Sequence, residues 1–278
     1  MSNLTDRQAA QNPQHTPAPG VVIDAIDAID VIGLDIGSSY IKAVSLNPDR
    51  TIARKHLVKS GYNYAASVSS LLERFASRSP VIGVTGYGRY RWDGDVQKTE
   101  ISALAMGMKH LGLTDGTLAD IGGQDTKILK LENGKLVDHA LNKRCAAGTG
   151  SYLEFIAFRL DMDLAAMNTL ANQDKESGIH PLNSFCTVFA GTEILDCIKK
   201  DLPLPGLIRG LYASIAERIR EIAPLTPPLY LSGGVIAHHP ALLEVFKTVL
   251  GIDIQVVPDP QFLAALGIAL YARQNRKT

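Results

Sequence analysis

Two stretches of the sequence, Asp35-Ile-Gly-Ser-Ser-Tyr-Ile-Lys42 and Asp120-Ile-Gly-Gly-Gln-Asp-Thr-Lys127, share one frame: Asp-Ile-Gly, four further residues, then lysine. Each stretch follows a hydrophobic run and leads into another, which predicts a β-hairpin with glycine at its tip. Because the arrangement occurs twice, it indicates a duplicated fold with two lobes and a cleft between them. The sequence therefore predicts an α/β protein built from two matched halves.

The hydrophobic pattern around the two stretches repeats a unit of three strands. The first unit is predicted at 31–35, 40–46 and 51–58, and the second at 117–121, 126–131 and 135–141. Further strands are predicted at 81–85, 229–231 and 254–257. Helical spacing occurs at 64–78, 98–111, 151–160, 192–200, 207–223, 240–250 and 262–273.

The chain is predicted to divide into a tail and two lobes. Residues 1–29 are predicted to be a disordered tail that ends in an acidic linker, since the start of the chain is rich in Gln, Pro, Thr and Asn. That start also lacks the basic beginning and apolar core of a signal peptide. Lobe I is predicted to comprise 30–117 together with 261–278. Lobe II is predicted to comprise 118–260, which carries all three cysteines.

The composition excludes several classes of protein. Lysine plus arginine equals aspartate plus glutamate at 28 each, so no basic field favours nucleic acid or an anionic membrane surface. No apolar run approaches the roughly 18 residues that a membrane-spanning helix needs. Three cysteines are too few for a secreted disulfide framework and favour a reducing, cytoplasmic location.

The hairpin tips have the residues that a phosphate chain requires. Phosphate oxygens need several converging backbone N–H groups, and small residues leave the approach to those groups open. The predicted phosphate-binding residues are Gly37, Ser38, Ser39 and Lys42 in the first hairpin, and Gly122, Gly123 and Lys127 in the second.

Four polar residues of the hairpins are the predicted catalytic groups. Asp35 and Asp120 end their strands facing the cleft, where they can hold Mg²⁺ through water. Gln124 and Asp125 are placed to orient an attacking water or the metal shell. The alternative interpretation is that each Asp-Ile-Gly is only a tight hairpin, and for one copy alone it is favoured. Two copies in one frame favour phosphate binding.

A third small-residue turn, Ser232-Gly233-Gly234-Val235, lies between a predicted strand and a predicted helix. Small residues there allow a purine ring or ribose to lie against the backbone. An ordinary strand-to-helix turn is an equally good interpretation of this motif by itself.

In this order, the motifs resemble the superfamily of actin, the heat-shock chaperone ATPases and the sugar kinases, over about 31–271. The resemblance implies an actin-like ATPase fold with ATP or ADP held in the cleft. It also implies that the helices containing Gly107 and Gly267 cross between the lobes as a hinge pair.

The cysteine motifs narrow the resemblance. Asn142-Lys-Arg-Cys-Ala-Ala-Gly-Thr-Gly150 and Cys186-Thr-Val-Phe-Ala190 closely resemble the activator ATPases of 2-hydroxyacyl-CoA dehydratases and the ATPase subunits of benzoyl-CoA reductases. The resemblance implies that Cys145 and Cys186 ligate one 4Fe–4S cluster shared across a homodimer. Gly148, Thr149 and Gly150 of the first motif are counted among the cofactor-binding residues.

The function implied is ATP-dependent electron transfer. In this hypothesis the dimer takes one electron from ferredoxin or flavodoxin and passes it to an acyl-CoA dehydratase or reductase. Two alternatives remain: a small-molecule kinase of the same superfamily, such as a sugar kinase, and a nucleotide-gated binding module without a redox role. In the latter, Cys145 and Cys186 only pack as small hydrophobic residues.

Overall fold

A computed structural model describes residues 31–75, 79–142, 149–182 and 186–275 of the 278-residue chain. The predicted tail at 1–29 lies outside the described residues, and so do Cys145 and Gly148. Within the described part, two five-stranded sheets each carry one of the Asp-Ile-Gly hairpins.

The first sheet has the strand order β3-β2-β1-β4-β5. Its strands are β1 (Val31–Ile36), β2 (Tyr40–Leu46), β3 (Ile52–Lys59), β4 (Val81–Thr85) and β5 (Val96–Gln97). The first three strands are antiparallel, whereas β4 runs parallel to β1.

The second sheet repeats this arrangement with the order β10-β9-β6-β7-β8. Its strands are β6 (Gly116–Ile121), β7 (Thr126–Glu132), β8 (Lys135–Asn142), β9 (Leu229–Ser232) and β10 (Ile254–Val256). Strands β6, β7 and β8 form the antiparallel unit, and β9 pairs parallel to β6. The predicted duplication is confirmed, because both sheets place an antiparallel three-strand unit beside a parallel strand.

The helices cover the faces of the sheets. They are α1 (Tyr64–Glu73), α2 (Glu100–His110), α3 (Gly150–Arg159), α4 (Leu164–Asn172), α5 (Thr187–Lys199), α6 (Leu204–Ile222), α7 (Gly234–His238), α8 (Ala241–Leu250) and α9 (Leu263–Asn275). The largest core cluster lies in the second half, where α3, α6 and α8 bury residues against the second sheet. The division of the lobes at 117/118 and 260/261 stays a prediction.

The register of the hairpins explains the shared frame. Asp35 is the cross-strand partner of Lys42, and Asp120 is the cross-strand partner of Lys127. Side chains of paired residues in an antiparallel ladder lie on the same face, where opposite charges attract. The seven-residue spacing therefore sets a lysine beside each strand-end aspartate.

Helices α2 and α9, which contain Gly107 and Gly267, pack closely. Their role as a hinge pair between the lobes stays a prediction. A Cβ atom on Gly267 would lie 2.6 Å from the carbonyl carbon of Ala103, and one on Gly107 would lie 2.7 Å from Leu263 Cδ1. Neither position has room for a side chain, so the glycines permit the close approach of the two helices.

Replacing Gly267 with valine is expected to destabilise the fold by about 3 kcal/mol or more, because the side chain would force α2 away from α9. Urea unfolding measures this change. Valine in place of Ala66, an exposed position of α1, is the control and should change stability by less than about 0.5 kcal/mol. Equal effects of the two substitutions would contradict the close helix contact.

Some elements differ from the prediction. The helix predicted at 192–200 begins at Thr187 instead, with Cys186 as its N-cap residue. Helices α4 and α7 and the short strand β5 were not predicted. The first error arises because Thr187, Val188 and Gly191 have weak helix propensity, which tertiary packing overrides: a Cβ on Gly191 would lie 3.0 Å from the ring of Phe155.

Candidate nucleotide-binding site

A cavity of about 610 Å³ lies between the two hairpins, and both sheets contribute to its lining. From the first hairpin, the lining includes Asp35, Gly37, Ser38, Ser39 and Lys42. From the second, it includes Asp120, Gly122, Gly123, Gln124, Asp125 and Lys127. Gly150, Gly233, Gly234 and Val235 complete the predicted residues that line the cavity. The structure thus brings these predicted residues together, and their individual roles stay predictions.

Two predicted residues, Ser232 and Thr149, are buried and do not line the cavity themselves. Ser232 is fully buried and its hydroxyl donates a 2.6 Å hydrogen bond to Asp120 Oδ1. Thr149 is fully buried at the N-cap of α3. Ser232 therefore orients the Asp120 carboxylate. Thr149 immediately precedes α3, whose first residues are hydrogen-bonded to the second hairpin.

The hairpin tips are closed by their own backbones and touch each other. Gly37 N donates to Tyr40 O at 3.1 Å, and Gly122 N donates to Asp125 O at 2.9 Å. A Cβ on Gly123 would overlap the Ser39 hydroxyl of the other hairpin. The glycine at this position therefore lets the two tips meet at one end of the cavity.

Two lysines and four carboxylates form an ionic network at this end. Lys42 Nζ lies 2.9 Å from Asp35 Oδ2. Lys127 Nζ lies 2.9 Å from Glu100 Oε1, 2.7 Å from Asp125 Oδ1 and 3.7 Å from Asp120 Oδ2. With every group ionised, the network carries a net charge of −2.

Burial changes the proton affinities of this network. Burial raises the pKa of Glu100 to about 7, although Lys127 acts in the opposite direction. The same cause raises the pKa of Asp120, again against the attraction of Lys127. Burial alone would lower the pKa of Lys127, but Glu100, Asp120 and Asp125 together raise it. Glu100 is thus the carboxylate of this network poised to exchange a proton near neutral pH.

Asp35 provides a test of whether Mg²⁺ fits here. Its Oδ1 atom is buried and has no hydrogen-bond partner among the described residues. A buried carboxylate oxygen normally has a partner, so this atom suits a water of a hydrated cation. The described residues contain no group of three or more His, Cys, Asp and Glu side chains that could hold a metal ion directly. Mg²⁺ therefore fits as an ion held through water and phosphate oxygens.

Several lining residues were not predicted. Glu100 begins α2, where the Thr99 hydroxyl accepts a hydrogen bond from Ser102 N at 3.2 Å and caps the helix. The sequence feature that could have indicated Glu100 is an acidic residue directly after the helix-capping Thr99. Gln261 and His239 also line the cavity. His239 is buried, and its Nδ1 lies 2.9 Å from the Tyr212 hydroxyl.

The described cysteines lie outside the cavity lining. Cys186 is exposed at the N-cap of α5, next to Val188 and Phe189, which are 64% and 67% exposed. Cys197 is half-buried in the same helix and packs against the core of the second half.

Two matched sheets with a nucleotide-sized cleft between paired Asp-Ile-Gly hairpins define an actin-like ATPase. The sequence matches the BadF/BadG/BcrA/BcrD ATPase family over residues 32–272, and the chain belongs to this family. It is 35% identical over 255 residues to the activator of lactoyl-CoA dehydratase from Anaerotignum propionicum, covering 87% of this chain and 96% of that protein.

Two solved structures have the same fold. The (R)-2-hydroxyglutaryl-CoA dehydratase component A of Acidaminococcus fermentans superposes with a TM-score of 0.81 and 30% identity, covering 90% of this chain and 100% of that one. The activator of 2-hydroxyisocaproyl-CoA dehydratase from Clostridium difficile, with bound ADPNP, gives a TM-score of 0.79 and 29% identity, covering 89% and 98%. The predicted fold class and family are therefore confirmed, and with them ATP binding.

None of the helices within the described residues is both long enough and apolar enough to cross a membrane.

Proposed function

We propose that this ATPase is an electron-transfer activator: it uses ATP to deliver single electrons to a partner enzyme that acts on acyl-CoA thioesters. The partner is of the 2-hydroxyacyl-CoA dehydratase or benzoyl-CoA reductase type. Family membership and the activities for which the relatives are named support this proposal.

The observation that carries the proposal is a direct connection between the second hairpin and the cysteine-bearing segments. Gly150 N donates to Gly122 O at 2.9 Å, and Ser151 N donates to Gly123 O at 2.7 Å. The Ser151 hydroxyl donates to the same Gly123 carbonyl at 2.6 Å. The start of α3, which lies five residues after Cys145 in the sequence, is thus hydrogen-bonded to the tip of the second hairpin, where the phosphates are proposed to bind.

Helix α3 also contacts the helix that follows the second cysteine. Phe155 of α3 packs against Gly191 of α5, and α5 begins directly after Cys186. A shift of the second hairpin on binding or losing the terminal phosphate would therefore act on the two helices that follow Cys145 and Cys186 in the sequence. This arrangement suits a protein in which nucleotide state changes the surroundings of a metal cluster.

We propose that Cys145 and Cys186 of two chains hold one 4Fe–4S cluster on the axis of a homodimer. A cubane cluster takes four thiolates, and a two-fold axis doubles two surface cysteines to four. Cys186 fits this role, because its thiol is exposed and the adjoining Val188 and Phe189 form an exposed apolar surface. When bound, such a cluster supplies a one-electron carrier, which ferredoxin or flavodoxin can reduce and the acyl-CoA enzyme can oxidise.

The cleft residues would hydrolyse ATP in this proposal. The glycine tips and the two lysines bind the phosphates, and Asp35 and Asp120 hold Mg²⁺ through water. Gln124 orients the attacking water, while Asp125 holds Lys127 in place. Glu100 accepts the proton of that water as its oxygen attacks the terminal phosphorus, and ADP and phosphate leave.

Nucleotide binding can supply the free energy needed to lower the reduction potential of the cluster. Making a one-electron potential about 100 mV more negative costs about 2.3 kcal/mol. A difference of that size in ATP affinity between two conformations lies within the usual range of allosteric coupling.

The test is reconstitution with a partner. Anaerobically purified protein, chemically reduced, is mixed with a purified 2-hydroxyacyl-CoA dehydratase and its substrate. Formation of the enoyl-CoA product is expected to require ATP, and ADPNP should not replace it. Product formation without ATP, or with iron-free protein, would contradict the proposal. Phosphorylation of a sugar by iron-free protein would favour the kinase alternative instead.

A further inference from the structure

Gln261 is a polar side chain of the cavity that the proposed mechanism does not use. It lies in the short helical turn Pro260–Phe262 that precedes α9. Its carboxamide makes no hydrogen bond within the part of the chain that the structure describes, and it faces the cavity. An amide that has both donor and acceptor capacity free in a ligand cleft is suited to recognising that ligand.

The turn that contains Gln261 packs against the turn formed by Ser232, Gly233 and Gly234. Gly233 N donates a 2.9 Å hydrogen bond to Pro260 O. A Cβ on Gly234 would lie 3.4 Å from Gln261 Nε2. The absence of a side chain on Gly234 therefore leaves the space beside the amide open to a bound group.

The position of Gln261 is far from the phosphate end of the cleft. Gly267 of α9 faces Ala103 of α2 and Leu263 faces Gly107, so the two helices run antiparallel. Glu100 lies three residues before Ala103, and Gln261 lies six residues before Gly267. At 1.5 Å of rise per residue, these nine residues separate Gln261 from Glu100 by roughly 13 Å along the helix axes. This span is comparable to that between the terminal phosphate and the base of an extended nucleoside triphosphate.

Apolar residues line the cavity around this position. Val235 and Ala264 are buried, and Leu164 and Ala165 come from the start of α4. The lining also includes the polar residues Asp163, His238 and His239. The apolar walls and the unpaired Gln261 amide match a flat heteroaromatic ring that has a hydrogen-bonding edge.

We propose that Gln261 is the residue that selects adenine over other purines, by pairing with the N6 and N7 edge of the base. Its Oε1 accepts from the N6 amino group and its Nε2 donates to N7, a two-bond pairing for which glutamine is suited. Hypoxanthine and guanine present a carbonyl oxygen in place of the amino group, so Oε1 would face another acceptor. The inference deepens the nucleotide site and is independent of the iron–sulfur cluster.

The test compares the affinities of ATP, ITP and 7-deaza-ATP for the full-length protein and its variants. Wild type is expected to bind ATP about tenfold more tightly than ITP or 7-deaza-ATP, because each analogue loses one bond of the pair. Q261A should lose about a hundredfold in ATP affinity, because it loses both bonds, and should bind all three nucleotides nearly equally. Q261E, which can accept from N6 but repels N7, should bind 7-deaza-ATP more tightly than ATP.

A glutamine outside the cavity supplies the matched control. Gln255 in β10 is exposed and donates to Asp253 at 3.1 Å, so Q255A should keep the wild-type order of affinities. Unchanged preference for ATP in Q261A and Q261E would overturn the proposal. Failure of wild type to bind any nucleotide would overturn it together with the assignment of the cleft, whereas an iron-free protein that binds ATP would affect only the proposed electron transfer.

Discussion

Replacing Cys186 with serine is expected to abolish iron binding and leave ATP affinity unchanged. The serine hydroxyl is a poor ligand for a cluster that requires thiolates. Cys186 lies at the N-cap of α5 and is absent from the cavity lining, so the substitution does not alter a group that faces the nucleotide. Cys145→Ser should have the same effect, because the proposal requires both residues from each chain.

The measurements are the visible absorbance and iron content of anaerobically purified variants, with nucleotide affinity determined on the same samples. Cys197→Ser is the matched control, since Cys197 lies in the same helix but packs against the core. It should retain iron. Full iron content in Cys186→Ser would contradict the ligand assignment, and joint loss of iron and ATP binding would contradict two separate sites.

Replacing Glu100 with glutamine is expected to lower the rate of ATP hydrolysis by about a hundredfold to ten-thousandfold, the usual contribution of a general base. Glutamine keeps the shape of the side chain and its contact with Lys127 but cannot take up a proton. ATP binding should persist, because phosphate contacts come from the hairpin tips. Single-turnover hydrolysis measures the effect separately from binding.

The pH dependence gives a second measure of the same residue. Since burial raises the pKa of Glu100 to about 7, the carboxylate is protonated below neutral pH and cannot act as a base there. Wild-type hydrolysis should therefore rise with pH through about 7 and then level off, and Glu100→Gln should lose this dependence. The matched control is Glu132→Gln, at the exposed end of β7, where Glu132 pairs with Lys130. Wild-type activity and pH profile in Glu100→Gln would assign the proton transfer to another group.

The paired hairpins could be predicted from sequence because the residues that determine each hairpin are close together in the chain. An aspartate, a glycine tip and a lysine within eight residues fix the turn and place the charges opposite each other. Ser232 contacts Asp120 across 112 residues of sequence, through the pairing of β9 with β6, and its predicted role beside the purine or ribose stays a prediction.

The remaining site residues could not be predicted because distant segments assemble them. Glu100 reaches Lys127 only through the packing of α2 near the second hairpin, and Gln261 reaches the cavity only through the contact of its turn with Gly233. The start of α5 was missed for a related reason: Gly191 lies inside the helix because Phe155 of another helix occupies the space of its side chain.

The most direct test of the central claim is the mass and metal content of the anaerobically purified protein. We predict a dimer with about four iron and four sulfide per two chains, which separates into monomers when a chelator removes the iron. A monomer that holds a complete cluster by itself would contradict the shared cluster. A dimer without iron, in which the Cys145 and Cys186 thiols of the two chains lie far apart, would contradict it as well.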